Sequence, residues 1–176
     1  MNQTRVLATV GMVAMAPMIV YYPYHALAWN LELSFLDPGR WTRNDAWVHP
    51  DAVIATSTRV VFFVLWALPT LFGWLAYLTG FSLLWRLRNG PVFDTQVARR
   101  LTWMGSLIFA SSAGALFAGA VSPMVRSWHN PEGPLPLRFW YDSGNLGMVF
   151  CGLAFLFLGI LLHEAHRIAQ ENEAFV

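Results

Sequence analysis

Val60 to Trp85 reads VVFFVLWALPTLFGWLAYLTGFSLLW and contains no Asp, Glu, Lys, Arg or His. A helix needs about 20 mostly apolar residues to cross the hydrocarbon of a bilayer, and this run is long enough and apolar enough. Three further stretches meet the same requirement. The four predicted spans cover residues 6–29, 60–85, 101–125 and 144–163. The fold they predict is all-α: an integral membrane four-helix bundle forming a single membrane domain over residues 1–176.

Composition agrees. Apolar residues make up 56% of the chain and charged residues 12%, against about 25% charged in soluble domains. In water, so much hydrocarbon would leave patches that aggregate, and a lipid bilayer removes that problem. The net charge of +1 implies no direct nucleic-acid partner. The single cysteine, Cys151, lies in an apolar stretch and allows neither an intramolecular disulfide nor a cysteine-based metal site. Arg5 followed by an apolar run invites comparison with a signal peptide. The run is too long for one and no small-x-small cleavage site follows, so a retained helix is expected, kinked at Pro17 and Pro23.

The connections set the expected orientation. The short loop 86–100 carries Arg86, Arg88, Arg99 and Arg100, and Arg5 and Arg167 fall on its side. Arg40, Arg43, Arg59, Arg126 and Arg138 lie on the other side, interspersed with Glu32, Asp37, Asp45, Asp51, Glu132 and Asp142. Arginine density in the short loop predicts that it faces the cytoplasm, with both termini and the tail 164–176. Loops 30–59 and 126–142 are then outer loops, the first with a turn signal at Asp37-Pro38-Gly39. Trp29, Trp41, Trp47, Trp128 and Trp140 fall toward the outer side and Trp85 and Trp103 toward the inner, an aromatic belt, while Trp66 and Trp74 are expected to pack within the second span. Ala110, Gly114 and Ala118 recur every four residues, as do Ser111, Ala115 and Gly119. That spacing predicts a face where helix backbones approach closely.

Two motifs carry a family resemblance. RNGPVFDTQVARRLTWMG follows the second span, and the chain ends LLHEAHRIAQENEAFV. Over residues 85–176 these resemble the YoaS-like family of small bacterial inner-membrane proteins, a domain of unknown function. The matching positions are Gly90, Pro91, Val92, Phe93 and Asp94, then Gly105, then Glu164, Ala165, Ile168, Glu171, Asn172 and Val176. The resemblance implies a multi-pass protein of the bacterial inner membrane, without an assigned activity, that works beside a regulatory partner.

Read physically, Gly90-Pro91 ends the second helix, Asp94 or Thr95 caps the third, and Phe93 dips into the interface as a staple. In the tail, Arg167 is placed to meet Glu164 and Glu171 on one helix face. The candidate protein-contact residues are therefore Arg86, Arg88, Phe93, Arg99, Arg100, Glu164, Arg167, Glu171 and Asn172. The plainer alternative is a solvated helix end lying along the arginine loop, with Glu171 and Glu173 facing its charges.

Chemistry is sparse. His163 and His166 are three apart rather than four. His25, His49 and His129 fall on the outer side with nothing to fix their distances, and a membrane's thickness separates His25 from His163. Arg59 reads as an interfacial anchor reaching toward Asp51 or Asp142. No catalytic residue, metal or cofactor is predicted. The expectation is a non-enzymatic membrane regulator or accessory subunit acting on another protein. The alternative is a protein that binds a lipid, quinone or other small molecule in an outer-face pocket among Trp41, Trp47, Trp128 and Trp140, with Phe139 and Tyr141.

Overall fold

The computed structural model describes residues 3–37, 39–44, 47–91, 94–139 and 143–173. It is all-helical among those residues. Four helices are long and apolar enough to span a bilayer: α1 (Gln3–Leu31), α3 (Thr56–Asn89), α4 (Thr95–Arg126) and α5 (Ser143–Glu173), with a short helix α2 (Arg40–Asn44) between the first two. Each long helix exceeds the predicted span because its ends run on into headgroups or water. At about 1.5 Å per residue, α3 with 34 residues is about 50 Å long.

The spans pack in chain order, α1 on α3, α3 on α4 and α4 on α5. α1 and α5 share no comparable interface. The two middle helices accordingly bury 22% of their most apolar windows, the two flanking ones 11%. Glycine sets the closest approach. A Cβ on Gly152 of α5 would lie 2.6 Å from the Phe109 backbone nitrogen of α4, and one on Gly159 would lie 2.7 Å from that of Thr102. Gly105 meets the backbone of Gly152 and Leu156 in the same seam. The small-residue series serves α4 elsewhere: Gly114 faces the Pro69 ring of α3, Ala118 is fully buried and Ala110 half-buried.

A proline within a span removes a backbone donor, and at Pro23 a side chain on a neighbouring helix compensates. α1 runs unbroken through Pro17 and Pro23. Pro23 has no N–H for the Ile19 carbonyl four residues back, and the Trp74 indole of α3 donates to that carbonyl at 2.9 Å. Ser111 of α4 donates to the Pro69 carbonyl of α3 at 2.8 Å, a further polar link between spans rather than a substitute for the donor Pro69 lacks, which would have served Leu65.

The pairings of Phe109 with Gly152 and of Thr102 with Gly159 place Ser143 level with Ala118. The last eight residues of α4 thus rise past the start of α5 by about 12 Å. With the start of α3, the end of α1 and the 37–55 loop they form a cap. Its core is Leu33, Trp41, Val48, Ile54, Phe62 and Val125. α1 extends beyond the predicted Trp29 and closes in a π-helical turn over Glu32–Leu36. Arg40 N–H then donates to the Asp37 carbonyl, the turn that Asp37-Pro38-Gly39 signals, although Pro38 lies outside the described residues. From the top of α4 the chain descends again: Ser127 Oγ accepts the Leu135 N–H at 2.7 Å, and Arg138 N–H donates to the Ala120 carbonyl.

Two outcomes check this packing. Gly152→Ala lowers the thermal midpoint in detergent because backbone stands in the way, whereas Gly119→Ala, which meets nothing within 4 Å, leaves it unchanged or raises it, the gain in stability being at most about 1 kcal/mol of helix propensity. Trp74→Phe destabilises by about 0.5–1.5 kcal/mol. In a Pro23→Ala background, where Ile19 regains its own donor, the cost of Trp74→Phe shrinks. A double-mutant cycle measures the difference.

Candidate functional site

Three regions hold the polar and aromatic side chains that have work to do in this membrane protein. At the end where α1 begins and α5 finishes, α3 stops at Asn89, and Gly90 N–H returns to the Arg86 carbonyl at 2.8 Å. Asp94, rather than Thr95, caps α4, accepting the Gln96 N–H at 3.2 Å. The other oxygen of its carboxylate takes two bonds from the Arg86 guanidinium, at 2.6 and 3.2 Å. The Arg86 hydrogen bonds first, and then the Gln96 N–H, hold the Asp94 carboxyl below its ordinary range. Arg86 is thus a structural clamp on the loop. Arg100 turns inward and donates to the Ser82 carbonyl, joining α3 to α4.

Arg88 and Arg99 are exposed and make no ion pair among the described residues. Arg99 and His163 line an open groove of about 510 Å³ between α4 and α5, beside Trp103. Phe93 lies outside the described residues, as do Trp140, Tyr141, Asp142 and the side chain of Asn172.

The tail continues α5 without a break. Arg167 bridges Glu164 at 3.0 Å and Glu171 at 3.5 Å. Glu171 therefore finds its countercharge on its own helix. By the pairing of α4 with α5, Thr95 lies level with His166, so Ile168 and the residues after it project past the start of α4. Ile168 is 52% exposed on that projecting end.

At the capped end the predicted aromatics separate. Trp41 is 1% exposed and packs edge-on against Phe62 at 4.9 Å, a core residue rather than a belt or pocket residue. Trp47 lies beneath the Arg126 guanidinium, which also sits over Trp41 and Phe62, all at 5.5–5.7 Å. Trp128 is exposed. Asn130 ties the two loops of the capped end together, accepting the His49 N–H and donating to the Trp47 carbonyl, both at 2.9 Å. Arg59 donates to the Ile54 carbonyl at 3.1 Å, and Asp51 faces His49 instead. His129 is hydrogen-bonded to Thr58 at 2.8 Å, His25 lies beside the Tyr21 ring, and His166 bonds Gln170. Among the described residues no three His, Cys, Asp or Glu gather as a metal site.

The third region is an intramembrane cleft of about 270 Å³ to which all four spans contribute. Met15 and Tyr22 come from α1, Gly73 and Tyr77 from α3, Met104, Ser111 and Ser112 from α4, and Asn145 and Met148 from α5. Gly73 makes room for the Tyr22 hydroxyl: a Cβ there would sit 2.6 Å from it and 2.9 Å from Ser111 Oγ. None of these residues was singled out for ligand binding from the sequence. Polar residues scattered over four spans share no linear spacing, so the only signal was their unusual polarity within apolar runs.

Four spans of this length and composition define a multi-pass membrane protein. Comparison with family models, curated proteins and solved structures gives no match for this chain.

The clamp at Asp94 predicts a pH dependence. Its carboxyl is held below the ordinary value, so its stabilising contribution is complete at neutral pH and is lost as the pH falls below about 4. Asp94→Asn keeps a capping side chain but drops the charge. Its thermal midpoint is expected to lie below that of the parent at pH 7, and the gap is expected to narrow as the pH falls below about 4.

Proposed function

We propose that this chain is a non-enzymatic membrane protein that acts through contact with another protein, as a membrane regulator or accessory subunit. The observation that carries the reading is the projecting end of α5. Among the described side chains there, Glu164, Arg167 and Glu171 are already paired along their own helix, which leaves Ile168 as an apolar anchor among satisfied ions. An amphipathic helix end of this kind suits docking into a groove on a partner. Arg88 and Arg99 at the same end of the bundle add unpaired positive charge for an acidic partner surface. The proposal includes the bacterial inner membrane as location, the termini in the cytoplasm, and membership of the YoaS-like family. It is supported by the arginines of the 86–100 loop and by the motifs quoted above. An outer-face pocket is not part of the proposal: Trp41 is buried in the cap core, and the groove of about 390 Å³ at that end has Trp128 in its lining but neither Trp41 nor Trp47.

Deleting Ile168–Val176, or replacing Ile168 by Glu, is expected to abolish co-purification of a stoichiometric cytoplasmic partner from the native host while membrane insertion is unchanged. Retention of the same partner by both variants sinks the tail-docking reading.

A further inference from the structure

The central cleft has the features of a binding site, and they are independent of the tail. Ser112 is 6% exposed and lines the cleft, yet its hydroxyl makes no hydrogen bond among the described residues. The half-buried Tyr77 hydroxyl in the same cleft also lacks a hydrogen-bond partner among them, although its ring packs on Tyr22 at 5.4 Å. In a soluble protein such groups turn to water. Within the span of a bilayer, an unsatisfied hydroxyl is costly unless a guest supplies the partner.

The properties of the cleft define that guest. No Asp, Glu, Lys, Arg or His lines it, so the guest is neutral. Its free hydroxyls are donors that call for acceptor oxygens, and its thioethers and tyrosine rings suit a flat, polarisable ring. The polarity is graded: Ser112 and Asn145 lie toward the cap, whereas Met15 and Met104 meet deeper, over Gly80. At about 270 Å³ the volume accepts one ring or one chain and not the two-chained glycerol of a phospholipid. The way in is lateral, because α1 and α5 do not close on each other and the half-exposed Met148 stands at the mouth. We propose that this cleft binds a neutral, membrane-soluble molecule with a carbonyl-bearing ring and an apolar tail, the quinone class. Ser112 and Tyr77 donate to its ring oxygens.

The test uses the full chain in phosphatidylcholine nanodiscs with decylubiquinone as the probe. Bound quinone is measured by extraction after washing and compared with empty nanodiscs. Saturable binding of about one equivalent is expected. Ser112→Ala and Tyr77→Phe each weaken it by about threefold to tenfold, the loss of one hydrogen bond. Ser112→Leu, which fills the cleft, abolishes it. Helix content and melting are checked for each variant. If the leucine variant does not fold, the alanine and phenylalanine variants decide. Binding no greater than to empty nanodiscs overturns the proposal. So does quinone binding that folded variants leave unchanged, or that decane displaces as well as unlabelled decylubiquinone does, which would mark an acyl-chain site.

Discussion

Inside the hydrocarbon of a bilayer, every backbone amide and carbonyl must find its partner within the protein. That constraint makes each span a helix, and it explains why Pro23 is accompanied by a specific side chain on a neighbouring helix. The Trp74 indole lies on the Ile19 carbonyl because Pro23 offers it no N–H. A tryptophan placed by hydropathy alone would be packing material, yet here it is a polar cross-link between α1 and α3.

The same constraint governs how the spans meet. Lipid tails are as apolar as leucine, so helices gain little from hiding hydrocarbon from them and associate where small residues allow backbones to touch. Gly105, Gly152 and Gly159 give α4 and α5 that contact, and it fixes their relative height. Because α5 begins level with Ala118, the top of α4 stands clear of it and needs cover. The loops at that end supply the cover with a small core around Trp41 and Phe62. The opposite end of α5 is displaced outward by the same offset, which is why the tail projects.

The serial packing of α1, α3, α4 and α5 gives the first and last helices little contact with each other, and the cleft is lined by residues of all four. Polar residues spread over four spans converge there. Individually, Ser112 and Tyr77 read as ordinary constituents of membrane helices. Their lack of partners is visible only when neighbours are in place, and the neighbours come from other helices.

Local chemistry was legible in the chain. Length and hydropathy determined four helices and a bilayer environment, since the thickness of hydrocarbon translates directly into residue number. Short spacings predicted the Arg167 pairs with Glu164 and Glu171, and a capping group at Asp94 or Thr95. What only the tertiary structure decided is everything that depends on register between helices: that Trp41 is core rather than belt, that Arg86 is spent on Asp94, that Arg59 turns to Ile54, and that a cleft exists. Hydropathy has no phase along the helix axis. The height and rotation of one span against the next are set by where glycines, prolines and their partners meet.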